Sequence, residues 1–548
     1  MFKKLSAINS IYLSLIPALS YLFFFTKKAI AIPQTSSTQF VAQTSINPQN
    51  MPETMVLSRF KVVGNNVIPQ AEIDAVLKPY LFRPISFMEL IAAQQAVTQL
   101  YVDRGYFTTG AFIPPQTIEN RTVKIEVVEG TIGEIKIIGL KKLRPEYIRS
   151  RIAIASQAPL HQDKLLEALQ RLQLNPLIKN LSAELSQGIK PGESFLKLKI
   201  EEADSFDLKL ALDNDLTPSV GSLRGRISVD EGNLLGFGDR FQASYAQSEG
   251  SKSLERLEYL APIGARGTYL RTFHSRNENQ IIVEPFTSLD LENSSLGYGI
   301  TLIQNAIDKP ARKLVLAFGF THQNTQFTIE DKGFFNLARG LNDDGRSIVS
   351  SLNFIQEYSD RSPTSVFSAT SQFSVGIDAF GSVINNDGQP DSKYLSWLGR
   401  GQYLTAISPK TNLSLGGIIQ LADSPLFNQE QFVVGGATSV RGYSRGITQG
   451  DNGFSLYAEL NNTVWQIPKW DFSVELSPFF DFGRIWNTDN FPIETNTLAS
   501  VGIDARILIK EDLTATIGIG IPLIDPKLPE RNSLQDDGIY FSLSTKLF

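Results

Sequence analysis

Two short sequences in the C-terminal half of the chain place an arginine about forty residues before an aspartate. The first is Val440–Tyr443 (VRGY), which lies in a long segment rich in glycine and polar residues. The second is Phe480–Gly483 (FDFG), which ends a segment of alternating apolar and polar residues. The arginine side chain is a planar fork of donors that fits a carboxylate. We therefore expect a loop that folds back and docks on a strand inside a barrel.

The chemistry of this contact follows from the residue types. Asp481 shares the polar face of its strand with Asp471, Ser473, Glu475 and Ser477, so it can meet the guanidinium of Arg441. An ion pair in a wet lumen is worth only about 0–1 kcal/mol, as at a surface. Removing one partner of a desolvated pair costs about 3–5 kcal/mol. The sequence leaves open whether the pair only fixes the loop or also takes part in a conformational cycle.

The neighbours of the charged pair suit a close contact between loop and wall. Glycine lets two backbones approach because it has no side chain, and the Tyr443 ring can pack while its hydroxyl finds a partner. The candidate residues of this loop–barrel contact are Val440, Arg441, Gly442, Tyr443, Phe480, Asp481 and Gly483.

From about Phe206 onwards the sequence consists of short alternating segments. One example is Phe454–Asn461, in which apolar residues alternate with Ser, Tyr, Glu and Asn. Another is the segment from Trp470 to Ser477, in which Trp, Phe, Val and Leu alternate with Asp, Ser and Glu. About sixteen such segments reach the C-terminus, an even number that suits a bacterial membrane barrel with lipid outside and a polar lumen. Long loops are expected at 276–293, 324–345 and 422–451.

The preceding region contains two similar units with a period of about 75 residues. Each begins with a short strand that ends at a glycine, as at Phe60–Gly64 and Ile135–Gly139. Helical spacing follows, with a capping box at Ser86 and Glu89 in the first unit. Each unit closes with strands, so the order β-α-α-β-β is expected twice. Such a sheet has an edge that an extended peptide can join.

The N-terminus has the features of a secretory signal peptide. Two lysines precede a mostly apolar, uncharged stretch from Leu5 to Thr26, and Ala29–Ala31 is an A-x-A cleavage site. Lys27 and Lys28 also allow an uncleaved anchor. Residues 32–55 are rich in Ser, Thr, Gln, Asn and Pro and predict a polar linker.

Composition argues against several other classes of function. The net charge of −5, from 51 basic and 56 acidic residues, does not favour nucleic-acid binding. The absence of cysteine excludes thiolate metal sites and thiol nucleophiles. The three histidines are isolated in sequence, so we expect no enzyme, no metal and no cofactor.

Together, these motifs and this order of elements resemble the two-partner secretion transporters, the haemolysin and filamentous-haemagglutinin exporter family. The resemblance covers nearly the whole mature chain. It implies two polypeptide-transport-associated (POTRA) domains in the periplasm and a sixteen-stranded antiparallel transmembrane β-barrel in the outer membrane, surrounded by its lipid. It also implies secretion, without ATP, of an unfolded partner exoprotein that the POTRA-like domains capture. Members commonly carry an N-terminal plug helix, which the prolines in residues 32–55 disfavour here.

Three other functions fit parts of the pattern. A barrel assembly factor shares the motifs but usually carries more periplasmic repeats. A passive porin needs neither the repeats nor the charged pair. A soluble adhesin needs no closed barrel. The expected domains are a signal peptide at 1–31, a polar linker at 32–55, POTRA-like domains at 56–130 and 131–204, and a barrel at 205–548 with its lumen-docking loop at 422–451.

Overall fold

The computed structural model describes residues 54–284, 286–330, 332–333, 338–385, 388–510, 512–526 and 533–547. The expected signal peptide, nearly all of the expected linker and the terminal Phe548 lie outside these residues. The chain contacts divide it into two units, one ending at Asp204 and the other beginning at Ser205. Within the described ranges, no helix has both the length and the apolar character needed to cross a membrane.

The first N-terminal fold packs two helices on one three-stranded sheet. Its elements are β1 Met55–Val56, β2 Arg59–Val63, α1 Gln70–Leu77, β3 Pro84–Ile85, α2 Phe87–Asp103, β4 Gly110–Phe112 and β5 Thr122–Val128. The sheet order is β2-β5-β4, with β2 and β5 parallel. The expected capping box of Ser86 and Glu89 starts α2. Strands β1 and β3 form a separate pair that the sequence pattern did not predict.

The second N-terminal fold repeats this plan. Its elements are β6 Thr131–Ile138, α3 Pro145–Ala155, α4 Gln162–Gln173, β7 Ile178–Gln187 and β8 Glu193–Glu202. The sheet order is β6-β8-β7, with β6 and β8 parallel. The inward face of α4 buries Leu165, Leu169 and Leu172 against the sheet, as the leucine spacing predicts. Strand β7 therefore forms one edge of this sheet over ten residues.

Antiparallel strands close into a barrel from Phe206 onwards. In chain order the strands are β9 Phe206–Asp213, β10 Arg224–Gly232, β11 Arg240–Gln247, β12 Ser251–Gly264, β13 Thr268–Gln280, β14 Leu291–Asp308, β15 Arg312–Ile329, β16 Lys332–Gly333, β17 Arg346–Arg361, β18 Ser365–Ile377, β19 Leu395–Ser408, β20 Thr411–Ala422, β21 Phe432–Val434, β22 Thr448–Gly450, β23 Asn452–Ile467, β24 Phe472–Trp486, β25 Thr497–Ile509, β26 Leu513–Pro522 and β27 Ile539–Lys546. Within the described ranges, sixteen of these form the wall, β16 extends the end of β15, and β21 pairs only with β22. The fold class expected from the sequence is therefore confirmed.

Alternation along the wall strands separates two chemical surfaces. Outward-facing residues such as Leu302, Leu456, Ile503 and Ile517 are apolar and more than a third exposed. Inward-facing positions are mostly polar or small, which is the reverse of a soluble protein and typical of a barrel in lipid. The wall closes where β27 meets β9, through five partner pairs that run from Ser542–Asp213 to Lys546–Lys209.

Three details of the predicted strand limits were wrong. Trp470 lies in a short 3₁₀ helix and Asp471 has a positive φ of 46°, so β24 begins only at Phe472. The turn after β13 covers only 281–290, and the one after β15 begins at 330. Residues 276–280 of β13 are all polar, so the alternation that predicts a strand is absent there although the strand continues.

Candidate functional site

The connection between β20 and β23 turns back into the barrel. Its central hairpin pairs β21 with β22, and residues 435–447 form the turn between them. Gly435 and Gly436 have φ angles of 104° and 98°, which glycine adopts without strain. Val440 is fully buried in an apolar cluster with Ile485 and Leu498 of the inner wall. We call residues 435–447 the inserted turn.

Arg441 projects from the inserted turn onto Asp481 of β24. Its Nε donates to Asp481 Oδ2 at 2.7 Å and its Nη2 donates to Asp481 Oδ1 at 2.8 Å. The Arg441 backbone N–H adds a third bond to Oδ2 at 3.0 Å. Arg441 is 5% exposed and Asp481 is 0% exposed. The fork therefore meets the carboxylate in two parallel charge-assisted hydrogen bonds, a strong and geometrically specific arrangement.

Two further carboxylates contact the same guanidinium. Arg441 Nη1 lies 2.8 Å from Glu459 Oε2 on β23 and 2.8 Å from Asp504 Oδ2 on β25. The Phe479 ring covers one face of the group, with its centroid 3.5 Å from Arg441 Cζ, a cation–π contact. We call Glu459, Asp481, Asp504 and Phe479 the guanidinium pocket. Its three carboxylates against one arginine leave a formal charge of −2.

Glycines bring the inserted turn against the wall. A Cβ on Gly520 of β26 would lie 2.5 Å from the backbone N of Gly442. A Cβ on Gly483 would lie 2.7 Å from a methyl group of Val434 and 2.9 Å from one of Val440. Real Cβ atoms do not approach other atoms so closely, and backbone cannot move aside as a flexible side chain can. Gly442 and Gly483 are two of the predicted residues, whereas the sequence pattern did not identify Gly520.

Tyr443 connects the inserted turn to the last strands. Its hydroxyl lies 2.8 Å from the carbonyl O of Ala499 and 2.9 Å from that of Ile524, so it can donate to either. The hydroxyl of Tyr540 on β27 donates to the carbonyl O of Tyr443 at 2.6 Å. Both tyrosines are almost fully buried. The turn is therefore held by β27 and by the segment just after β26, as well as by the strands around Arg441.

The next two residues of the turn bind the connections at the outer ends of the strands. Ser444 donates to Asp536, and the backbone N–H of Arg445 donates to Gln535 Oε1 at 2.8 Å. Arg445 Nη1 lies 2.9 Å from Asp215 Oδ2, beside the first barrel strand. These contacts connect the inserted turn to both sides of the β27–β9 closure.

Phe480 does not join the other predicted residues. It lies on the outer face of β24 and is 47% exposed, and the inward-facing aromatic residue of this segment is Phe479. Sequence reasoning also missed Glu459 and Asp504. The alternation of the strand could have identified Phe479, because this residue lies two positions before Asp481 and therefore on the same face. Among the described residues, no group of three or more His, Cys, Asp or Glu side chains could hold a metal ion.

Two known families match this chain. Residues 192–507 match the family described as haemolysin secretion/activation protein ShlB/FhaC/HecB. The chain belongs to this family. Residues 55–130 match the POTRA domain of the ShlB type. Members of the family are transporters.

Curated relatives agree along most of their length. The heme/hemopexin transporter protein HuxB of Haemophilus influenzae (strain 86-028NP) is 26% identical over 438 residues, covering 77% of this chain and 74% of the relative. The outer membrane transporter CdiB of Escherichia coli is 22% identical over 564 residues, covering 94% and 91%. The protein is accordingly an outer-membrane two-partner secretion transporter with its N-terminal units in the periplasm.

Solved structures show the same fold. CdiB from Escherichia coli superposes with a TM-score of 0.68 at 18% identity, covering 92% of this chain and 93% of the other. BamA from Haemophilus ducreyi lacking POTRA domains 1–3 gives a TM-score of 0.55 at 16% identity, covering 90% and 100%. At these sequence identities the similarity shows only a common fold. CdiB and BamA share this fold with each other.

Proposed function

We propose that this protein receives an unfolded partner exoprotein on its periplasmic sheets and passes it outward through the barrel, with the inserted turn as the movable obstruction. The observation that carries this proposal is the buried contact of Arg441 with the barrel wall. A turn held inside the lumen by buried charges must shift before an extended chain can use the same space. Folding of the exoprotein outside the cell supplies the direction of transport.

Capture of the exoprotein is assigned to the edge of the second periplasmic sheet. Strand β7 has ten residues and pairs with β8 on one side only. The corresponding edge strand of the first sheet, β4, has three residues. A longer edge offers more backbone donors and acceptors to an extended peptide, which gives affinity without demanding a fixed sequence.

Site-specific photo-cross-linking tests this assignment. A benzophenone side chain at Ser182, an exposed position on β7, is expected to cross-link to the exoprotein during export. The same group at Lys164, an exposed position on α4, serves as the matched control. Equal yields at the two positions would reject β7 as the capture edge.

Export itself is tested by deletion. A chain without residues 56–204, which contain both periplasmic units and therefore β7, is expected to lose export of the partner while it still conducts ions in planar bilayers. Export that survives this deletion would contradict capture by the periplasmic units. Barrel assembly is the alternative function, and it predicts that loss of the protein lowers the abundance of unrelated outer-membrane barrels. Secretion predicts loss of the exoprotein alone.

A further inference from the structure

The guanidinium pocket belongs to the barrel wall. Glu459, Asp481 and Asp504 lie on the three adjacent strands β23, β24 and β25, and Phe479 also lies on β24. Among its four members none comes from the inserted turn. The pocket therefore keeps its carboxylates and its ring when the turn moves away, and it then faces the path of the exoprotein.

The shape of the pocket suits a flat cation. Phe479 lies so close over Gly502 that a Cβ there would be 2.3 Å from the ring. The ring is therefore held against the wall at Gly502, and Arg441 Cζ lies over the ring at 3.5 Å from its centroid. A planar, weakly hydrated guanidinium fits between a ring and several carboxylates better than a compact, strongly hydrated ammonium. The geometry selects arginine over lysine.

The three carboxylates of the pocket outnumber the one cation that contacts all of them. With Arg441 bound, the formal charge of these four groups is −2. Ser500 faces Asp481 directly across the β24–β25 ladder, is 0% exposed, and its Oγ has no hydrogen-bond partner among the described residues. A hydroxyl that can accept a hydrogen bond thus stands buried beside the carboxylates. It offers an additional contact to a donor that enters at a different angle from Arg441.

We propose that the guanidinium pocket is a binding site for arginine side chains of the translocating exoprotein, which replace Arg441 as the turn withdraws. Arg441 is then an internal occupant that an incoming arginine displaces. This inference rests on the proposed export function and adds the chemistry of the partner segment that the wall recognises. Replacement keeps the carboxylates paired during the exchange, so that none is left without a cation while it is still shielded from water.

Peptide block of single-channel current tests the proposal in the full-length protein. Three peptides are compared that differ only at one position, Arg, Lys or Gln. In the Arg441→Ala variant the arginine peptide is expected to block at a concentration at least tenfold below that of the glutamine peptide, with the lysine peptide between them. In the wild-type protein, in which an incoming arginine must first displace Arg441, the ratio is expected to fall to about threefold.

A second variant keeps the test informative if Arg441→Ala fails to assemble. Glu459→Gln leaves the two-bond contact between Arg441 and Asp481 intact and removes one carboxylate from the pocket. The block ratio between the arginine and glutamine peptides is expected to be lower for this variant than for the wild type. Equal block by all three peptides in Arg441→Ala, or an unchanged ratio in Glu459→Gln, overturns the proposal. If partner export by the wild type persists alongside such a result, the pocket inference fails and the export function stands.

Discussion

Replacing Arg441 by alanine should release the inserted turn from the wall. The substitution removes the two side-chain bonds to Asp481 and the contacts with Glu459 and Asp504. Asp481 is 0% exposed, so its charge stays buried while the turn remains docked. Breaking a buried ion pair by removing one partner costs about 3–5 kcal/mol, which raises the undocked population about 10²- to 10⁴-fold.

The absence of cysteine makes this shift measurable without background labelling. Ser444 lies in the turn and is 3% exposed, so a cysteine there reacts with a polar maleimide only when the turn leaves the wall. When undocking and docking are fast compared with labelling, the rate follows the undocked population. Arg441→Ala should therefore speed labelling of Ser444→Cys by at least about 100-fold.

Two controls distinguish this mechanism from a general disturbance of the lumen. Arg400→Ala removes another inward-facing arginine, on β19, for which no ion pair is found among the described residues, and should leave the labelling rate within threefold. Arg441→Lys keeps the charge but loses the planar fork, so its rate should lie between those of the wild type and Arg441→Ala. A labelling rate in Arg441→Ala that stays within threefold of the wild type would refute the reasoning.

Three further outcomes follow from other contacts. Gly520→Ala should undock the turn because its Cβ would lie 2.5 Å from loop backbone, whereas Gly401→Ala, whose Cβ meets nothing within 4 Å, should label at the wild-type rate. Tyr540→Phe leaves a buried carbonyl of the turn without its donor, which costs about 1–3 kcal/mol and should speed labelling at least about fivefold. Burial raises the pKa of Glu202, but hydrogen bonds from the backbone N–H groups of residues 141–143 outweigh it and hold the pKa below its usual value. This stabilisation is present above the ordinary pKa of about 4.3 and is lost as the pH falls through the lowered value, so Glu202→Gln should speed amide exchange of 141–143 at pH 7 and make little difference at strongly acidic pH.

The sequence predicted the architecture because its periodicities are long and regular. Two-residue alternation continues through most wall strands, and helical spacing in the N-terminal units is supported by the Ser86 capping box. The pairing of β1 with β3 was not predicted, because strands of two residues are too short to show an alternating pattern. The end of β13 was misplaced for a related reason, since alternation disappears where both faces of the strand are polar, as at residues 276–280.

The site could be predicted only in part. Motif spacing pointed to Arg441 and Asp481, whose contact needs one strand and one loop. Glu459 and Asp504 depend on the register of three strands, which short segments of sequence do not define. Phe480 was chosen by its place in the motif, whereas face alternation counted back from Asp481 selects Phe479.

The contacts of the inserted turn have a mechanical consequence. The turn touches β23, β24 and β25 through Arg441, β26 through Gly442, and β27 through the backbone of Tyr443. It thus braces five consecutive wall strands, β23 to β27, the last of which closes the barrel by pairing with β9. Withdrawal of the turn should make strands β23 to β27 more flexible than the rest of the wall. The barrel cross-section should then become oval and widen first at these strands, while the opposite side keeps its curvature.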